Sequence, residues 1–149
     1  MSTATFITAG LVLVLPALLA GGWWLGGRPE LAQVVITPEA VRIVPRGVLR
    51  VLSFRSQLLL ARRMVRQAAV VTCAGLPAAG LRSPGSAVPG LRVGTYRRPE
   101  ATSYWLVGRA REVVRIDLAG GPVDYVAVQV RDPGKVAALL AAGARSPAP

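Results

Sequence analysis

Residues 112–140 read EVVRIDLAGGPVDYVAVQVRDPGKVAALL, and the change of period inside this stretch decides the fold class. Glu112 to Leu118 alternates, with Val114, Ile116 and Leu118 on one face and Arg115 and Asp117 on the other. Ala119-Gly-Gly-Pro122 is a turn. Val123 to Val130 alternates again and gathers Val126, Val128 and Val130, so the two runs form a β-hairpin. Asp117 and Asp124 are placed to oppose each other across it and to splay into solvent. At Asp132 the period switches to that of a helix. Asp132 can cap it and Pro133 suits its first position. Val136, Leu139 and Leu140 make one apolar face. Gly143 suits the C′ position, which gives a helix over 133–142 and a tail over 143–149.

Upstream, the same alternation repeats in short pieces. Val34 to Ile36 is β-branched and ends at Thr37-Pro38-Glu39. Ala40 to Val44 alternates until Pro45-Arg46-Gly47 breaks it. Val48 to Phe54 alternates around Arg50, and Gln57 to Leu60 is a short apolar run. Met64 to Thr72 reads as a strand or a short helix. Cys73 to Pro89, rich in small residues and proline, reads as a long loop. Leu91 to Tyr96 and Tyr104 to Val107 are strand-like, with Tyr96 and Tyr104 suited to closing a core. The body is thus mainly β, about seven short strands and then one helix. A helix after a curved antiparallel sheet can cap an open barrel. The absence of βαβ alternation argues against parallel α/β architectures.

Met1 to Gly27 holds no ionisable side chain, while all 18 Lys+Arg and all 7 Asp+Glu lie from Arg28 onward. Phe6 to Leu25 would span about 30 Å as a helix, the thickness of a hydrocarbon core. Trp23 and Trp24 close it where amphipathic rings favour the interface, and Arg28 follows. The reading is a transmembrane helix over 1–27 with its core at 6–25, a juxtamembrane linker over 28–33 and a β domain over 34–142. A cleaved signal peptide is the alternative, since Ala20-Gly-Gly22 is small enough for cleavage although a basic n-region is missing. A buried core helix is the third reading. The bases beyond the segment place the body in the cytoplasm.

Three stretches resemble the bacterial pleckstrin-homology-like domains. They are Ile36 to Ile43, the run Arg82 to Tyr96 with its spaced glycines, Pro-Gly and Gly-x-aromatic, and Val113 to Leu140. The likeness covers residues 33–142. It implies a seven-stranded open barrel capped by a C-terminal helix, beside a membrane helix in a bacterial envelope protein of the inner membrane. It implies little about a ligand. Within the middle stretch, Gly85, Pro89, Gly90, Gly94 and Tyr96 form the distinctive loop motif. Its glycines permit turns or close approach of two chains.

The chain has 149 residues and a net charge of +11, with no histidine and a single cysteine. Histidine-based catalysis, a Cys–His dyad and an internal disulfide are therefore excluded. The seven carboxylates are scattered, Cys73 has no histidine to activate it, and no Walker-type loop occurs. No enzyme activity, cofactor, metal site or small-molecule substrate is expected. A basic body beside a membrane can meet anionic lipid or an acidic protein partner. The candidate contacts are Arg62, Arg63, Arg66, Arg82, Arg92, Arg97 and Arg98, with Arg109, Arg111 and Arg115 as a second cluster. Nucleic acid is the rival for the charge. It is disfavoured by few aromatics and the absence of a reading helix.

Overall fold

The structure is a computed structural model that describes residues 16–83 and 90–144. The helix α1 is described over residues 16–26. Then come β1 (Ala32–Ile36), β2 (Ala40–Pro45), α2 (Leu49–Leu52), β3 (Leu58–Ala61), β4 (Val65–Thr72) and β5 (Leu81–Ser83). They are followed by β6 (Arg92–Arg98), β7 (Ala101–Val107), β8 (Glu112–Leu118), β9 (Tyr125–Val128) and α3 (Pro133–Ala144). The strands make two sheets, β1-β2-β3 and β4-β8-β9-β7-β6-β5. The fold is mainly β with a C-terminal helix, as the sequence predicts. The expected barrel of about seven antiparallel strands is not what forms. Among the described residues there are nine strands in two open sheets, and β7 and β9 pair in parallel.

That parallel pair explains why the strand count and closure differ. The hairpin β8–β9 forms as expected, with Ile116 opposite Val126. Yet β9 inserts between β8 and β7, so the connection Gly108–Arg111 must step over its end. All four residues of β9 are buried. A strand covered on both faces belongs in the middle of a sheet. One face of the larger sheet carries Tyr104, Leu106, Val114, Ile116, Val126 and Val128 against Leu31, Val41, Ile43, Leu58 and Leu60 of the small sheet region and Leu140 of α3. The opposite face carries Tyr96, Trp105, Val107, Val113, Tyr125 and Ala127, covered by Leu76. Tyr96 and Tyr104 therefore serve two different cores.

Local chemistry sets the other elements. Thr37 closes the β1–β2 turn, its N–H and hydroxyl both donating to the Ala40 carbonyl. Val48 to Phe54, expected as a strand, instead winds into α2. Gly47 (φ 56°) and Phe54 (φ 54°) reverse the backbone on either side. Leu49 and Leu52, three apart, turn inward as neighbours on a helix do, while Val51 is 72% exposed. Met64 to Thr72 resolves into a short 3₁₀ turn (Arg62–Met64) followed by β4. The expected loop from Cys73 to Pro89 contains the 3₁₀ turn Cys73–Gly75 and β5. Residues 84–89 lie outside the described residues, so Gly85 and Pro89 are not placed.

Gly143 does not end α3, which runs to Ala144. The guanidinium of Arg62 donates to the Leu139 carbonyl at 2.7 Å and packs against Gly143. A cation at the helix C-terminus supplies the partner that a C′ glycine otherwise provides. Asp117 and Asp124 do not splay together. Asp117 pairs with Arg115 at 2.8 Å, and the Asp124 carboxylate accepts from the Thr102 N–H at 2.7 Å.

No helix among the described residues is long and apolar enough to cross a membrane. The expected core at 6–25 is described only from residue 16. Within α1, Gly22 and Gly26 are buried, Gly26 against Gly90 and Gly108. Leu18, Leu19, Trp23 and Trp24 are exposed, the two tryptophans by 61% and 64%. Within residues 28–33, Arg28, Pro29 and Gln33 are exposed and the burial falls on the middle of the segment. Leu31 and Ala32 are fully buried, and the Leu31 N–H donates to the Gln129 carbonyl.

Candidate functional site: a basic groove at the foot of helix α1

The site is built by the step of Gly108–Arg111 over the end of β9. Two strand spacings separate β7 from β8, about 10 Å, and the residue beneath the span is Gln129. It is 2% exposed. Its Oε1 accepts from the Gly108 N–H at 2.8 Å and the Ala110 N–H at 3.4 Å. Its Nε2 donates to the carbonyl of Arg28. One buried amide thus ties the span to Arg28, two residues beyond α1. A buried polar side chain persists in an apolar interior when its groups are paired in this way.

Backbone contacts reinforce that tie. The Arg109 N–H donates to the Gly26 carbonyl at 2.8 Å. A Cβ on Gly108 would lie 2.5 Å from the Gly26 oxygen, and one on Gly26 would lie 2.8 Å from the Gly90 oxygen. Bare Cα atoms at Gly26 and Gly108 let these backbones touch, whereas Gly90 is favoured by its φ of 76°, since a Cβ there would meet only the Arg109 Cδ at 3.9 Å. Gly94, with φ 112°, is the other special glycine of that motif. A Cβ on Gly94 would lie 3.5 Å from the Arg82 guanidinium.

The docked helix end then meets arginines. The Arg109 guanidinium carbon sits 3.3 Å from the centroid of Trp23, and that of Arg28 sits 4.1 Å from Trp24. Beside Trp23 opens a groove of about 580 Å³ whose lining includes Cys73, Tyr96, Arg92 and Arg109. Its floor is the second core. Trp105 packs edge-on against Tyr96 and Tyr125 at 5.9 and 6.2 Å between centroids. Arg92 lies 5.5 Å from the Trp105 centroid, and Arg115 caps Tyr125 at 4.7 Å. The guanidinium planes are thus held by aromatic faces.

Among the described residues no carboxylate lines this groove. Two other hollows differ. One sets Glu112 beside Arg111 and Arg131, and the other sets Glu30 and Asp132 beside Arg131 and Lys135. The remaining thiol is subdued. Cys73 Sγ donates to the Ala110 carbonyl at 2.9 Å. Burial pushes its pKa up, and the positive charge of Arg92 works against that rise. Burial likewise raises the Tyr104 hydroxyl, opposed by Ser53 and the charge of Arg55. Among the described residues no three metal-ligating side chains come together.

The arginines chosen from sequence do not form one patch. Arg62 is committed to α3, while Arg63 and Arg66 are exposed beside it. Arg82 donates to the Leu52 carbonyl at 3.2 Å. Arg97 and Arg98 lie at the far end of β6 from Arg92, roughly 17–20 Å along the strand. Arg98 is paired with Glu100 at 2.6 Å. Of the seven, Arg92 alone reaches the groove. Trp23, Trp24 and Arg28 stand together at the foot of α1 as expected of neighbours in sequence. Sequence reasoning missed Gln129 and the pairing of Arg109 with Trp23. The signal for Gln129 was a lone amide following the apolar run of β9. Compared with protein-family models, curated proteins and solved structures, the chain gives no match.

Proposed function

We propose that this chain is a non-catalytic binding or scaffold module held at a bacterial inner membrane by residues 1–27. In this reading the β-rich body is of the pleckstrin-homology-like type and lies on the cytoplasmic side, facing an acidic protein partner or the anionic membrane surface. The observation that carries the reading is the foot of α1. A segment without charge ends in exposed Leu18, Leu19, Trp23 and Trp24, and arginines stack on both tryptophans. An apolar helix closed by tryptophan and arginine is the pattern of a membrane–water boundary. The close docking of Gly26 on Gly108 supports a body fixed to its anchor rather than swinging on a linker.

The β-rich body followed by a helix packed on the sheet supports the pleckstrin-homology-like part of the proposal, from which the parallel β7–β9 pair departs. The lack of histidine and the scattered acids support a binding role over catalysis. The test is alkaline carbonate extraction of the full-length chain with intact-mass measurement. An uncleaved chain retained in the pellet and released by detergent is expected. Recovery in the carbonate supernatant, or loss of about the first 22 residues by mass, would overturn the anchored reading.

A further inference from the structure

We propose that the groove lined by Arg92 and Arg109 seats the phosphate of an anionic phospholipid headgroup from the same membrane. The proposal rests on the anchored reading and adds a ligand class and the residues that hold it. Position comes first. Arg109 lines the groove and stacks on Trp23 at 3.3 Å. If α1 ends at the membrane boundary, the groove stands at headgroup depth. It cannot drift from there, because Gln129 and the Gly26–Gly108 contact lock the span to the helix end.

Chemistry comes second. Two arginines line the groove and, among the described residues, no carboxylate does. Among the described residues neither Arg92 nor Arg109 makes an ion pair, whereas Arg46, Arg98 and Arg115 each do. Guanidinium forks suit phosphate oxygens and are weakly hydrated, so they tolerate partial burial against aromatic rings. A volume of about 580 Å³ accommodates a phosphodiester and its polar substituent. The tether keeps the ligand at high effective concentration, so a shallow groove suffices. The hollow with Glu112 beside Arg111 and Arg131 is about as large, but it presents a carboxylate that would repel the same ligand.

The test uses the full chain in neutral detergent and native mass spectrometry. Phosphatidylglycerol and phosphatidylcholine of identical acyl chains are the probes, with glycerol phosphate as the soluble arm. Preferential retention of phosphatidylglycerol is expected, with at least a tenfold loss in the Arg92→Gln/Arg109→Gln variant. Arg63→Gln/Arg97→Gln, which removes equal charge elsewhere, is expected to retain it. Arg92→Lys/Arg109→Lys, compared by near-ultraviolet circular dichroism, separates lost charge from lost packing by restoring part of the binding. Equal retention of both lipids, or equal loss in the two glutamine pairs, would overturn the groove. Displacement of the lipid by glycerol phosphate at similar concentration would overturn the membrane source. The anchored reading survives each of those failures, because carbonate extraction tests it separately.

Discussion

The guanidinium of Arg109 lies 3.3 Å from the ring centroid of Trp23, while the backbone N–H of the same residue donates to the Gly26 carbonyl. The two contacts act on one joint, the foot of α1 against the span between β7 and β8. Cation–π pairs at exposed sites contribute about 0.5–1 kcal/mol. A double-mutant cycle of Trp23→Ala and Arg109→Ala is expected to return a coupling in that range. The measurement is denaturant unfolding of the full chain in detergent micelles. Strict additivity would mean that the stack contributes nothing to stability. Arg109→Lys is expected to keep part of the coupling, since the charge remains but the planar face is lost.

Gln129 holds the same joint from beneath. Gln129→Leu keeps the volume and removes both functions of the amide. The Gly108 N–H and the Arg28 carbonyl then lose their partner. An unpaired buried group costs roughly 1–3 kcal/mol, so a loss of about 2–4 kcal/mol is expected. Gln129→Glu keeps the acceptor but turns an oxygen toward the Arg28 carbonyl. It is expected to destabilise more at pH 8 than at pH 5, because a buried carboxyl has its pKa raised and can donate only when protonated. A substitution without effect on the unfolding midpoint would remove Gln129 from this role.

Glycines separate close approach from simple flexibility. A Cβ at Gly108 would stand 2.5 Å from the Gly26 oxygen and 2.7 Å from its Cα, both backbone atoms that cannot rotate away. Gly108→Ala is therefore expected to cost about 1–3 kcal/mol through overpacking. In contrast, a Cβ at Gly134 in α3 meets nothing within 4 Å. Gly134→Ala is expected to stabilise by about 0.5–1 kcal/mol from helix propensity. Thermal unfolding of the two variants should thus shift in opposite directions. Parallel shifts would refute the contact at Gly26.

The order of the sheet explains what could be read in advance. The hairpin β8–β9 and the helix α3 were legible because local period and turn residues specify both. The insertion of β9 between β8 and β7 was not, since strand order depends on contacts far apart in sequence. Val48 to Phe54 failed for another reason. Its alternation is short, and Leu49 and Leu52 satisfy a helical turn as well as a strand. The arginines were legible as a charge excess but not as a place. Arg62 was already engaged with the Leu139 carbonyl, and Arg109 gained its position from Trp23, which is 86 residues earlier by number. Only the fold of the β7–β8 span brings those two together.

Cys73 offers a probe of the groove that depends on pH. Burial raises its pKa, and the charge of Arg92 pulls it back. The folded thiol therefore carries less thiolate than an unfolded one at the same pH. Since the thiolate is the nucleophile, alkylation by iodoacetamide at pH 8 is expected to be slower in the folded chain than in denaturant. The gap should narrow as the pH climbs through the folded-state value. The linked stability has the matching sign. It is fully present below the unfolded-state pKa and is lost as pH rises through the raised folded-state pKa. Arg92→Gln removes the charge that favours the thiolate and is expected to slow alkylation further at pH 8, whereas Arg92→Lys should keep it near the native rate. If Arg92→Gln instead alkylated at the native rate across the whole pH range, Arg92 would have no electrostatic hold on the groove beside it.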